Sequence, residues 1–225
     1  MRRVKLAPSI LTADFARLGQ EMASVDGLVD WFHLDVMDGH YVPNLTFGPD
    51  VVAAVRGEVE TPFHVHLMID NPLEFAGRFV EAGARRITFH PEVTPDPSAA
   101  IKEIRAAGAE VGLAIHPDIT VETVRKHLSE VDLILVMTVR PGFGGQRFMN
   151  EMVPKIAEVK GYVEDEALDA EVEVDGGVNL STVNEVVAAG ADIVVAGSAI
   201  FDGVDAPAAA ARLIERLEGL RVGNE

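Results

Sequence analysis

Short apolar runs alternate with amphipathic stretches along the whole chain. Runs rich in valine, isoleucine and leucine fall at residues 4–8, 31–36, 63–67, 87–89, 111–115, 133–137, 172–175 and 193–196, and each reads as a strand. Between them, apolar residues recur at helical spacing over residues 15–24, 73–82, 99–107, 121–128, 154–163, 182–189 and 206–217. The second connection, around residues 50–55, carries the weakest helical pattern. A small repeat supports the count: Ala82-Gly83-Ala84, Ala107-Gly108-Ala109 and Ala189-Gly190-Ala191 each close a helix just before a strand. Glycine there suits a left-handed residue that ends a helix.

About eight strand–helix units in this length predict an α/β fold, a (β/α)8 TIM barrel of eight parallel strands, with residues 1–225 as a single domain. An open doubly wound sheet is the alternative. The absence of Gly-x-Gly-x-x-Gly after the first strand weakens a dinucleotide-binding reading of such a sheet.

Composition narrows the chemistry. With 48% hydrophobic residues in 225, the chain can fill one sizeable core, yet it has no apolar run of membrane-spanning length. The N-terminus lacks the long apolar stretch of a secretory signal, so a cytoplasmic enzyme is expected, with no membrane partner. There are no cysteines, so any metal must be held by nitrogen and oxygen. Nineteen basic against 36 acidic residues give a net charge of −17, which argues against a nucleic-acid partner. Acidic residues such as Glu164, Asp165, Glu166, Asp169 and Glu171 are expected on solvated surface. The same field repels anions, so an anion site in this chain must be local and well built.

Two strand ends concentrate the polar chemistry. Alternate side chains of a strand share a face, which groups His33, Asp35 and Met37 on one strand and His64, His66 and Met68 on the next. Ser9, Asp35, His66, Asp175 and Ser198 all fall at or just after predicted strand C-termini, the rim on which barrels carry their active sites. His33, Asp35, His66 and Asp175 together offer two imidazoles and two carboxylates, a set suited to one Zn²⁺, or to Fe²⁺, Mn²⁺ or Co²⁺. The glycine-rich segment Arg140-Pro141-Gly142-Phe143-Gly144-Gly145-Gln146 follows a strand and reads as a loop over a substrate. Asp175-Gly176-Gly177 and Ala196-Gly197-Ser198 follow the last two strands, where bare amides and a helix start commonly hold phosphate. Met37, Met68 and Met137 end three strands and form a polarizable cushion for a planar intermediate.

These motifs, in order and over nearly the whole chain, resemble the ribulose-phosphate 3-epimerase family: Ala7-Pro8-Ser9-Ile10-Leu11, His33-x-Asp35-x-Met37-Asp38-Gly39-His40-Tyr41-Val42-Pro43-Asn44, His66-Leu67-Met68, Pro141 to Gln146, Glu173 to Gly177, and Ala196 to Phe201. The resemblance implies a TIM-barrel enzyme of the pentose phosphate and Calvin pathways, interconverting D-ribulose 5-phosphate and D-xylulose 5-phosphate. It implies His33, Asp35, His66 and Asp175 as metal ligands and Asp35 with Asp175 as the acid/base pair. It places Ser9, His66, Gly142, Phe143, Gly144, Gly145, Asp175, Gly176, Gly177, Gly197 and Ser198 on a ketose phosphate substrate. A homo-oligomer, dimer or hexamer, is also implied. Two positions depart from the family pattern: Arg140 stands where Asn, Glu or Asp is more usual, and His64 where Asp is common.

Three rival readings share parts of this pattern. An allulose 6-phosphate 3-epimerase shares that of residues 31–49, but Gly176-Gly177 and residues 196–201 favour the pentulose enzyme. A sugar-phosphate decarboxylase of related architecture needs lysine two residues after the strand-end Asp, where this chain has Met37. A non-catalytic metal- or phosphate-binding barrel conflicts with two intact acid/base positions.

Overall fold

Parallel strands and covering helices alternate through the computed structural model, which describes residues 3–222. The strands are β1 (Lys5–Pro8), β2 (Phe32–Met37), β3 (Phe63–Met68), β4 (Ala84–Phe89), β5 (Glu110–Ile115), β6 (Leu133–Met137), β7 (Glu171–Asp175) and β8 (Ile193–Ala196). The helices are α1 (Leu18–Val25), α2 (Pro49–Arg56), α3 (Pro72–Glu81), α4 (Pro97–Ala106), α5 (Val121–Val124), α6 (Val153–Asp165), α7 (Val183–Ala188) and α8 (Ala206–Val222). Strand order is β1-β8-β7-β6-β5-β4-β3-β2, every pair parallel. The two ends of this sheet meet through a parallel bridge between Ser9 and His33 and a hydrogen bond from Asp30 N to Leu6 O, so the sheet closes into a (β/α)8 barrel.

The outward faces of the strands carry the main core. Leu34, Val65, Ile87, Val111, Ile134, Val172 and Val194 are wholly buried against Val52, Phe79, Ile104, Ile156, Val186 and Leu213 of the helices. Each such side chain contributes about 1.5–3 kcal/mol by leaving water. Gly83, Gly108 and Gly190 end their helices with φ of 102°, 103° and 105°, and a β-carbon at Gly83 or Gly190 would strike Arg56 or Lys160.

Four sequence expectations change. Residues 49–56 form a regular helix: Pro49 supplies its first turn, and Val52 and Val55 face the barrel, so burial overrides the low helix propensity of valine. The first helix starts later than expected, because residues 15–17 form a 3-10 turn capped by Asp14. The fifth shortens to Val121–Val124 and runs on as a 3-10 turn to Glu130. Glu171 is not on solvated surface. It points into the N-terminal end of the barrel, where it meets Lys5 at 2.5 Å and Arg86 at 3.3 Å, and Arg86 also binds Glu110 at 2.7 Å. Arg86 in turn lies 4.3 Å over the ring of Trp31, so this polar layer plugs the base of the barrel.

Candidate active site and metal centre

Parallel register decides which side chains meet inside the barrel. His33 pairs with His64, Asp35 with His66 and Met37 with Met68 across β2 and β3, and Met137 pairs with Asp175 across β6 and β7. Alternation turns all of them inward, so residues far apart in sequence converge in layers.

In the upper layer, His33 Nε2 lies 3.3 Å from Asp35 Oδ1 and 3.8 Å from Asp175 Oδ2. His66 Nδ1 lies 3.1 Å from Asp35 Oδ1 and 4.0 Å from Asp175 Oδ2. One ligand atom from each of His33, Asp35, His66 and Asp175 falls within 4.8 Å of the others. Both imidazoles are fully buried, and Asp35 is 3% exposed. The layer below holds His33 Nδ1 and His64 Nδ1 at 2.9 and 3.1 Å from Oε1 of Glu173, also fully buried. His64, one of the two departures, thus shares a carboxylate with His33, and its Nε2 lies 2.6 Å from Thr88 Oγ1.

Charge is divided unequally over this cluster. Burial opposes ionisation of Asp35, but His33 and His66 hold its carboxyl far below the usual range. Burial, then the Asp35 charge, pushes Asp175 up to about 7. Burial opposes protonation of His33, yet Asp35, Glu173 and Asp175 hold it well above an ordinary imidazole. Burial pushes His66 down to about 3 and His64 to about 4, so both are neutral. A proton on His33 and one on Asp175 therefore balance buried negative charge that a cation balances equally well.

The donor set passes a direct test of fit. His33 Nε2 is buried without a partner in hydrogen-bonding geometry while aimed at two carboxylates. Two imidazole nitrogens and two carboxylate oxygens converging with no thiolate fit a divalent metal.

A pocket opens directly above these ligands. It is lined by Ser9, Asp35, Met37, Met68, Met137, residues 141–146, Asp175, Gly176, Gly177, Gly197 and Ser198. His33 and His66 form part of the layer beneath. Ser9 Oγ donates to Asp35 Oδ2 at 2.6 Å. The glycine loop is bound from two sides: Asn44 Nδ2 donates to the Gly142 carbonyl at 2.7 Å, and Gln146 Nε2 donates to the carbonyls of Arg140 and Phe143. Phe143 itself stands 54% exposed at the mouth. Arg140, the other departure, turns away and grips Asp118 through both amino groups at 2.7 and 3.0 Å.

The glycines after β7 have a packing reason beyond any ligand. A β-carbon on Gly176 would lie 2.6 Å from Val139, and one on Gly177 would overlap Phe148 N, both at positive φ. Thr138 Oγ1 donates to the Gly176 carbonyl at 2.7 Å and ties the two loops together. After β8, Ile200 N and Phe201 N donate to the Gly197 carbonyl and make one helical turn; α8 begins at Ala206, where the sequence pattern places it.

Sequence reasoning passed over several neighbours. Leu11 and Thr12 line the pocket, Asn44 anchors its loop, and His90 touches His66. His90 carried a readable signal, since it directly follows β4 at the same rim.

Residues 5–201 match the family described as "Ribulose-phosphate 3 epimerase family". A ribulose-phosphate 3-epimerase of Mycobacterium bovis is 48% identical over 214 residues, covering 95% of this chain and 93% of that one. Enzymes of the same name from Bacillus subtilis and Escherichia coli are 45% and 42% identical, over 88% and 91% of this chain and 92% of each of theirs. Among solved structures, KGPDC from Streptococcus mutans superposes with a TM-score of 0.74, at 16% identity, over 97% of this chain and 99% of that one. Orotidine 5'-phosphate decarboxylase from Pyrococcus horikoshii superposes at 0.69 and 16%, over 95% and 99%. These two share the barrel.

Proposed function

The chain belongs to the ribulose-phosphate 3 epimerase family and is an epimerase, and from that premise we propose how its barrel mouth inverts C3 of D-ribulose 5-phosphate to give D-xylulose 5-phosphate. Asp35 and Asp175 are the acid/base pair. His33, Asp35, His66 and Asp175 hold one divalent cation, with zinc the first candidate and iron, manganese or cobalt the others.

The observation that carries this reading is geometric: Asp35 on β2 and Asp175 on β7 bring their carboxylates to one layer with two imidazoles, and both line the pocket above it. Without a cation, Asp35 is ionised at neutral pH while Asp175 is pushed up to about 7, and a cation held by both takes the place of that proton. Asp35 takes the C3 proton from one face, and Asp175 delivers a proton to C3 on the other. In the reverse direction the roles exchange. Ser9 holds one Asp35 oxygen by its hydrogen bond, leaving the other directed into the site. Each positioned acid or base is worth ~10²–10⁴ in rate. A cation bound to the four ligands supplies Lewis-acid stabilisation of the enediolate charge. Met37, Met68 and Met137 around the pocket exclude water from the face on which proton transfer occurs.

Bare amides at Gly177, Gly197 and Ser198 line the same pocket and take the phosphate, compensating locally for the net charge of −17. Residues 141–146 cover the sugar. Met37 occupies the position where a decarboxylase of this architecture needs lysine, which sets the chain's chemistry apart from its fold neighbours.

The test is a coupled assay for xylulose 5-phosphate on chelator-stripped protein, followed by re-addition of Zn²⁺, Fe²⁺, Mn²⁺ or Co²⁺. Activity lost on stripping and restored by a divalent ion supports the reading; undiminished turnover after verified stripping refutes it. Comparing kcat/KM for D-ribulose 5-phosphate and D-allulose 6-phosphate separates the pentulose enzyme from its hexulose rival.

A further inference from the structure

His66 reaches the cation site through one ring nitrogen and leaves the other facing His90. The two Nε2 atoms lie 3.0 Å apart, and both rings are fully buried. Two ring nitrogens at that distance must share one proton, because two N–H groups clash and two lone pairs repel. Among the described residues His90 Nδ1 has no partner in hydrogen-bonding geometry; its nearest carboxylate is Glu92, with Oε1 at 3.5 Å. A negative charge on that side favours a ring hydrogen on Nδ1 over Nε2. His90 Nε2 then presents its lone pair, and His66 Nε2 carries the shared hydrogen. Without a cation, His66 Nδ1 lies at hydrogen-bond distance from Asp35 Oδ1, 3.1 Å, and 4.0 Å from Asp175 Oδ2; a cation there requires that nitrogen bare, and His90 Nε2 is then the acceptor for the hydrogen on His66 Nε2.

The opposite arrangement, with His66 Nδ1–H donating to Asp35, would turn a bare His90 Nδ1 toward the Glu92 carboxylate or require a charged, fully buried His90. A cation at His66 Nδ1 selects the first arrangement, and Glu92 favours it by charge at 3.5 Å from a ring it does not hydrogen-bond. Tyr41 holds Glu92 in place: its hydroxyl donates to Glu92 Oε1 at 2.9 Å, and its ring lies 4.8 Å from His90, tilted by 38°. The Glu92 side chain is 30% exposed, so the chain of contacts runs from the buried cluster to the solvent rim.

We propose that His90 and Glu92 are positioning residues of the cation site, keying His66 to present Nδ1. This rests on the cation reading above. Buried metal-ligating histidines generally depend on such a partner at the other nitrogen, and loss of the partner costs roughly 10–100-fold in metal affinity or activity.

The experiment is Zn²⁺ affinity of the full chain, by competition with a chromogenic chelator, for wild type, His90→Leu, His90→Gln and Glu92→Ala, with thermal melts of the cation-free proteins alongside. His90→Leu should lose ~10–100-fold in affinity. His90→Gln, whose amide oxygen still accepts from His66 Nε2, should retain most of it and restore the Co²⁺ absorption spectrum of the wild type. Glu92→Ala, at the exposed rim, should fall in the same direction as His90→Leu and carries the test should that variant not fold. Wild-type affinity in both His90→Leu and Glu92→Ala would overturn the proposal, as would His90→Gln falling as far as His90→Leu, which marks packing alone. Wild type failing to bind Zn²⁺ would overturn the cation reading and this proposal with it, whereas normal binding by the variants overturns this proposal alone.

Discussion

The Ser9 hydroxyl donates to Asp35 Oδ2 at 2.6 Å, joining the residue just after β1 to the carboxylate near the end of β2. The same Ser9 bridges His33 in the sheet, so one residue contributes both to closure of the barrel and to orientation of the proposed base. A hydrogen bond to a charged group is worth about 1.5–3 kcal/mol. Ser9→Ala should therefore lower kcat by ~10–100-fold, measured by steady-state kinetics beside a melt that shows the fold intact. An unchanged kcat would remove Ser9 from the positioning of Asp35.

Cation binding should release protons. In the cation-free protein His33 is charged at neutral pH and Asp175 titrates at about 7, so a metal displaces a proton from each at pH 6. Affinity should rise more steeply with pH below about 7, where protons leave both groups, than above it, where Asp175 ionises unaided and only the His33 proton is displaced. Calorimetry in buffers of different ionisation enthalpy measures the release, which should shrink in Asp175→Asn. Release that is absent, or identical in the variant, contradicts the charge distribution described.

The same shift has a stability consequence of definite sign. The Asp175 carboxyl is raised in the folded state, so between pH 4 and about 7 the folded chain binds this proton more tightly than the unfolded chain does. Its contribution is favourable at the acid end of that window and is lost as pH rises through about 7. The Tm difference between cation-free wild type and Asp175→Asn should accordingly move in favour of the variant as pH rises from 5 to 8. Parallel Tm profiles would show that Asp175 is not so perturbed.

Gly177 is required by backbone packing. Its φ of 68°, and the overlap of any β-carbon there with Phe148 N, leave no room for alanine. Gly177→Ala should cost more than ~1 kcal/mol, which at this chain length is a fall of about 2–4 °C in Tm per kcal/mol. A Tm equal to wild type would show that the β6 and β7 loops separate freely.

Asn44 and Arg140 should behave oppositely despite lying at the same loop. Asn44→Ala removes the bond to the Gly142 carbonyl and should raise KM for the sugar phosphate by up to ~10-fold. Arg140→Ala breaks an exposed pair with Asp118, worth about 0–1 kcal/mol, and should change little. Equal effects in steady-state kinetics would mean that the loop is not anchored through Asn44.

Much of this architecture is legible from the chain alone, because strand alternation and the repeated Ala-Gly-Ala helix ends impose a period that survives folding. The ligand quartet reads from sequence for the same reason: His33 and Asp35 are two apart on one strand, and a strand places them on one face. What does not read are features set by register between strands. The contact of His66 with His90 depends on the β3–β4 pairing, which shifts between Phe63 and His64, and no local pattern shows that slip. Glu171 misleads for a related reason. It sits in an acidic stretch, yet strand β7 turns it inward to Lys5 and Arg86, partners that lie far away in sequence. Helix α2 is hidden because its valines favour a strand locally and are made helical by what they bury.

The division of labour between Asp35 and Asp175 is tested most directly by following C3 of D-ribulose 5-phosphate by NMR in deuterated water with cation-loaded Asp175→Asn. Asp35 alone should exchange the C3 hydrogen of ribulose 5-phosphate for deuterium on its own face while xylulose 5-phosphate forms ~10²–10⁴-fold more slowly than in wild type. Xylulose 5-phosphate appearing at the wild-type rate would contradict the two-carboxylate account.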